Sequence, residues 1–251
     1  MIKWVTRHIE GASLLPMRFL VDTATGETLD CECSVKVNDH FNRPAIDSTN
    51  LWTVAGVNGG TAAYYAAAGG YMRITTGGAD DDDVDVAGAV CWQVDASLIM
   101  EARIAINDVT HGALFVGFSD ATGEAADHLA IDFTGNSLAT EAKDAVGLLW
   151  DPDSTTTPHI QFCSVAGDAD GTPGNTSIDP VAATFKIFRI ECDQDGNARA
   201  YIDGALKASL TAAVTPTTLL CPYIGVMNRG EGAANTWDVD YVRVWSSIAL
   251  T

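Results

Sequence analysis

The sequence predicts an all-β protein, a two-sheet antiparallel sandwich with a short N-terminal arm. Three observations carry that expectation. In the last third, residues 185–192, 197–203, 219–227 and 237–245 are consecutive strand-like runs of apolar or alternating character. Two of the joins between them carry Asp195-Gly196 and Asp203-Gly204, and an Asp-Gly pair between such runs is the strongest short-range hairpin signal. Upstream, short apolar runs recur roughly every ten residues with turn residues between them, and helical periodicity is nearly absent.

Residues 1–38 differ from the rest and read as the arm. Met17–Asp22, the turn residues 23–26 and Glu27–Asp30 suggest a small hairpin. A lone hairpin is marginal in water, so it should pack on its own sandwich or on a neighbouring subunit. Strands are then expected at Trp52–Gly56, Tyr71–Thr76, Ala89–Val94, Leu98–Ile106, Ala113–Ser119, His128–Phe133, Val146–Trp150 and His159–Val165, followed by the four runs above. In Leu98–Ile106, Met100, Ala102, Ile104 and Ile106 share one face, while Glu101, Arg103 and Ala105 share the other, so one face is expected to be buried and the other wet. Ala113–Phe118 is apolar on both faces and reads as a central strand. No internal repeat of fixed period is present.

At 251 residues the chain suits one large sandwich domain, residues 39–251, beside the arm. Hydrophobic residues make up 47% and charged residues 19%, ample for a core. Lys and Arg number 14 against 33 Asp and Glu, a net charge of -19 that repels nucleic-acid phosphates and anionic lipid at long range. The same balance suits divalent cations or a basic protein face. Arg7, His8 and Glu10 interrupt the apolar region a secretion signal needs, so none is read. No apolar window is long enough for a membrane span. With no export signal, the cysteines are expected to be reduced. Cys91, Cys163, Cys192 and Cys221 sit in apolar runs and read as small buried hydrophobes, whereas Cys31 and Cys33 lack a downstream pair to complete a zinc site.

Phe188-Arg189-Ile190-Glu191, Asp195-Gly196, Tyr201-Ile202-Asp203-Gly204 and the terminal Asp238–Val244 resemble the closing strands of concanavalin A-like jelly rolls. That superfamily includes laminin G-like, legume-lectin-like and family-16 glycosidase domains. Asp39-His40-Phe41, Leu98–Ile106 and Leu114–Asp120 fit the same pattern, so the resemblance covers about residues 39–247. It implies a jelly roll, a scaffold that hosts lectins, hydrolases, adhesion modules and virion proteins alike. The overall style is also similar to jelly-roll proteins of tailed-bacteriophage virions: acidic, rich in Ala, Gly and Thr, with a short arm and no export signal.

A family-16 glycosidase places its carboxylates on one strand, Glu-x-Asp-x-x-Glu or a close variant, so that they enter one cleft about 5 Å apart. The chain has no such run, and Asp132 reads as an ordinary polar strand position. No Gly-x-Ser-x-Gly elbow accompanies His8, His40, His111, His128 or His159, and phosphate-loop and dinucleotide fingerprints are absent. A non-enzymatic chain is therefore expected. Asp80, Asp81, Asp82, Asp83 and Asp85 form the densest charge cluster, placed in a loop after Thr76-Gly77-Gly78. Solvation of that loop is the plainer reading, and a calcium ion, which demands many oxygen ligands, is the alternative. Asp168, Asp170, Asp193 and Asp195 read as turn formers. Trp52, Trp150, Tyr64 and Tyr65 are available to stack on sugars, and Trp150, before Asp151-Pro152, is the candidate ligand contact. Trp92, Trp237 and Trp245 are expected to fill the core.

The virion resemblance implies a bacteriophage capsid decoration protein, made in the host cytoplasm and carried on the particle. Its arm would hold it to the major capsid protein or another virion protein, and it would form a homo-oligomer, with a trimer favoured. The alternative is a carbohydrate-binding or host-adhesion module of a tail fibre or surface lectin, with a glycan as partner.

Overall fold

Apolar residues at every second position of a strand fall on one face, and two such faces stack to exclude water. The computed structural model describes residues 2–7, 17–22, 28–31, 33–42, 45–66, 69–94, 97–155, 159–230 and 232–247. In chain order the strands are β1 (Ile2–Arg7), β2 (Met17–Asp22), β3 (Thr28–Cys31), β4 (Cys33–Asp39), β5 (Thr53–Gly56), β6 (Thr61–Tyr65), β7 (Tyr71–Thr75), β8 (Asp83–Ala87), β9 (Leu98–Ile106), β10 (Gly112–Ser119) and β11 (Ile131–Thr134). They continue as β12 (Ser137–Thr140), β13 (Asp144–Trp150), β14 (Gln161–Ala166), β15 (Ala169–Asp170), β16 (Gly174–Asn175), β17 (Lys186–Cys192), β18 (Ala198–Ile202), β19 (Ala205–Leu210), β20 (Cys221–Asn228) and β21 (Thr236–Ser247). Among the described residues there is no helix long and apolar enough to cross a membrane.

The front sheet runs β15-β14-β13-β10-β20-β8-β5, with β16 also on β14. The back sheet runs β19-β18-β17-β9-β21-β7-β6, with β4 also on β21. The fold is the antiparallel jelly-roll sandwich that the strand rhythm predicts. Between the sheets, Val84, Val86, Leu114, Val116, Phe118, Ile224 and Val226 meet Met100, Ala102, Ile104, Phe188, Ile190 and Val239. Each such side chain, fully buried, contributes about 1.5–3 kcal/mol. β10 lies at the centre of the front sheet and is buried along its whole length, as its unbroken apolar character predicts.

The outer face of the front sheet is also covered. Ala113, Phe115, Leu149, Cys163, Tyr223 and Met227 form a second apolar cluster with Leu129, Ala130, Ile131, Phe133 and Ala142, which come from the segment carrying the β11-β12 hairpin. The chain thereby covers that face with its own residues.

Several expectations are corrected. Ala89–Val94 is not a strand; only Trp92 makes an isolated bridge, to Leu220. Cys91 is exposed, while Cys163, Cys192 and Cys221 are buried and free. Trp245 is half-buried at a register position opposite Ile99 and Val35, away from the core-facing Val244, so it does not fill the core. Strand β4 pairs with β21, so the sandwich takes in residues 33–38. Strands β1, β2 and β3 form a separate antiparallel sheet.

Candidate functional site

The acidic run is where sequence and structure part most sharply. Asp83-Val84-Asp85-Val86-Ala87 alternates with period two and forms β8, buried at every position, rather than a loop. Val84 and Val86 enter the core, which turns Asp83 and Asp85 to the covered outer face. There the covering segment solvates them. Asp83 accepts the Asp127 backbone N–H at 3.0 Å, and Asp85 accepts the Glu124 N–H at 2.8 Å and the Tyr223 hydroxyl. Burial pushes both carboxyls up to about 6, against the pull of those donors, and the Asp85 charge adds to the shift at Asp83.

The remaining members of the run go elsewhere. Asp82 is buried and accepts the Ala79 N–H at 2.8 Å and the Asn58 amide, Asp81 pairs with Arg229, and Asp80 is exposed. The five aspartates, for which the sequence makes solvation the plainer reading and a shared calcium ion the alternative, are thus divided: Asp83 and Asp85 share the covered face, while Asp80, Asp81 and Asp82 each have other surroundings. Among the described residues, no three His, Cys, Asp or Glu side chains are grouped so as to hold a metal ion.

The convergent point is Arg229, which sequence reasoning missed. It follows β20, whose last residue, Asn228, clamps two loops: its amide donates to the Ala79 carbonyl at 2.9 Å and the Ala233 carbonyl at 3.1 Å and accepts from Asn235 at 2.6 Å. So fixed, the Arg229 guanidinium donates to both oxygens of Asp151, at 3.1 and 2.7 Å, to the Phe133 carbonyl at 3.0 Å, and to Asp81. Asp132 and Asp153 each stand at 3.9 Å. Burial works against the guanidinium charge, but Asp151, Asp132 and Asp81 outweigh it and raise its pKa. Asp132 and Asp153 are both raised, chiefly by burial. The group has a buried base, Arg229, Asp132 and Asp151, and an open rim, where Asp81 and Asp153 keep 43% and 44% of their side chains exposed.

Asp132 is thus no ordinary strand position: it accepts the Leu129 N–H at 3.2 Å and lies 3.6 Å from His128, whose other ring nitrogen is 3.8 Å from Glu141. Trp150 immediately precedes Asp151, is half-buried against the core, and donates its indole N–H to the Val109 carbonyl at 3.2 Å. Arg229 thus joins Asp81 to Asp151, the residue after Trp150, while the Trp150 ring itself packs on the inter-sheet core. Trp52, by contrast, is buried and bonded to Asp39 at 3.0 Å, and Tyr64 and Tyr65 lie on β6, on the back sheet.

No protein-family model matches the chain, and no curated protein sequence matches it. Solved structures do. The Emp47p carbohydrate recognition domain superposes with a TM-score of 0.59 at 11% identity, covering 86% of this chain and 97% of its own. LamAcat from Zobellia galactanivorans gives 0.59 at 12%, covering 84% and 97%. An endo-beta-1,4-glucuronan lyase from the fungus Trichoderma reesei gives 0.55 at 10%, covering 85% and 96%. The structural neighbours are concanavalin A-like jelly rolls, among them carbohydrate-binding domains and glycan-active enzymes. The expectation of a non-enzymatic chain is overturned here. A lyase uses this sandwich, so the missing Glu-x-Asp-x-x-Glu run does not remove enzymatic activity from the functions open to the fold.

Proposed function

We propose that this chain is a glycan-binding sandwich module that takes neutral sugars at the Arg229 end of the front sheet. The observation that carries the reading is that two half-exposed carboxylates, Asp81 and Asp153, converge on one nitrogen of the buried Arg229 guanidinium. Carboxylates held in this way accept hydrogen bonds from sugar hydroxyls without having to reorganise. Four aspartates against one arginine leave the site negative, which disfavours uronic or sialic acids and selects neutral glycans. The test is a glycan array followed by calorimetry on the full chain. Binding of a neutral glycan is expected, weakened about tenfold or more by the double variant Asp81→Ala, Asp153→Ala. No neutral-glycan binding, or affinity untouched by the double variant, would refute the reading.

A second reading concerns what carries the module. A bacteriophage head decoration protein would dock onto the major capsid protein or another virion protein through the part of the arm outside the sandwich, which carries the separate β1-β2-β3 sheet. A net charge of -19 suits a basic docking face. Co-sedimentation of the full chain with capsids should be lost when residues 1–32 are deleted, leaving β4 in its sheet; retained binding would exclude docking through the arm.

A further inference from the structure

Residues 48–72 contain no Asp, Glu, Lys, Arg or His, in a chain of net charge -19. That stretch holds β5 and β6, the strands that end the front and back sheets on the same side of the sandwich. A groove of about 640 Å³ runs between them, lined by Ala45, Ile46, Thr53, Val54, Ala62 and Tyr64 among others. Sheet edges usually carry protection in the form of charge, proline, bulges or very short strands, because an open ladder pairs with other chains. The opposite edge has it: β15 and β16 are two residues each, and β19 carries Lys207 and meets β18 through a register shift at Ala200/Tyr201. The β6 edge, Thr61-Ala62-Ala63-Tyr64-Tyr65, has none, and its pairing with β7 is regular.

We propose that two copies of this chain join edge to edge through β6, antiparallel about a two-fold axis at Ala63. The sequence of the strand is self-complementary in size under that operation. Thr61 falls opposite the partner's Tyr65, Ala62 opposite the partner's Tyr64, and Ala63 opposite the partner's Ala63, so every ring meets a small side chain on its own face of the sheet. A two-fold contact of one patch with itself closes as a dimer, in place of the trimer expected from the sequence. Charge points to the same occupant: copies this acidic repel each other, and an edge without charge is where they approach at least cost. Arg73 on β7, opposite Ala63, is already neutralised by Asp238, through bonds of 2.7 and 2.9 Å, and lies 3.8 Å over the Tyr65 ring. That contact, with the Tyr65–Tyr71 stack at 5.2 Å, holds the ring against its own sheet.

The test is sedimentation velocity of the full chain with three variants. The wild type should sediment at about twice 26.4 kDa. Ala63→Lys, which sets like charges face to face at an exposed position, should be a monomer that keeps the wild-type circular-dichroism spectrum. In a Cys91→Ser background, Ala63→Cys should cross-link on mild oxidation, since facing antiparallel Cα atoms lie about 4.5–5.5 Å apart, within disulfide reach. Ser209→Cys, on the opposite edge, should not. A monomeric or trimeric wild type, a dimeric Ala63→Lys chain, or equal cross-linking from both cysteines would each overturn the proposal, and the cross-link stands as a readout even where the lysine variant fails to fold.

Discussion

At the scale of single residues, the interactions of Arg229 separate into those that matter to stability and those that do not, and burial draws the line. Asp151 has no exposed side chain and takes two guanidinium bonds, whereas Asp81 keeps 43% of its side chain in water. Removing one partner of a buried pair leaves an uncompensated charge and costs about 3–5 kcal/mol. An exposed pair is worth under about 1 kcal/mol. Arg229→Met should therefore cost several kcal/mol in urea unfolding, while Asp81→Asn should cost little; equal losses would refute this division. The hub itself was hardly legible in the sequence. Asp81, Asp132, Asp151 and Arg229 are spread over 149 positions, and nothing local to Asn228-Arg229-Gly230 names its partners. Trp150 and the aspartate run were found because each is locally unusual, yet that Arg229 joins Asp81 to Asp151 is a product of topology.

At the scale of elements, what was legible followed from local physics. The Asp203-Gly204 pair predicts a two-residue hairpin between β18 and β19, and both residues adopt positive φ, 51° and 80°, as the turn type that matches strand twist requires. Asp193 accepts the Asp195 and Asn197 backbone N–H groups at 3.0 Å, the side-chain cap predicted for a turn. Strand β8 was misread because five aspartates outweighed the period-two signal of Asp83-Val84-Asp85-Val86. A carboxylate can sit in a buried strand when another segment brings it N–H donors, and those come from residues 124 and 127, far along the chain. Strand β6 escaped notice for the opposite reason: Thr-Ala-Ala-Tyr-Tyr has little apolar alternation, because an edge strand buries only part of one face. Both misreadings are tertiary effects, one supplied by a covering segment and one by position in the sheet.

At the scale of the whole molecule, the buried carboxyls set how stability depends on pH. Asp83 and Asp85 titrate at about 6 in the folded chain, above the ordinary 3.8. Between those values the native state binds protons that the unfolded chain releases. The contribution is therefore fully present below about pH 4 and is lost as pH rises through about 6, at most about 3 kcal/mol for each group. Glu124, Asp132 and Asp153, raised by burial, act in the same direction. Self-repulsion at a net charge of -19 also eases on acidification. Asp108, lowered by its bond to His111, opposes them, but the pair is exposed and weak. Scanning calorimetry should show the melting temperature rising from about pH 7.5 to about pH 5. Asp83→Asn should flatten that slope, since an amide oxygen still accepts the Asp127 N–H but carries no charge to lose. A melting temperature that falls over the same interval, or a slope unchanged in Asp83→Asn, would mean that these carboxyls, raised by burial under the covering segment, are not the groups through which the native state takes up protons.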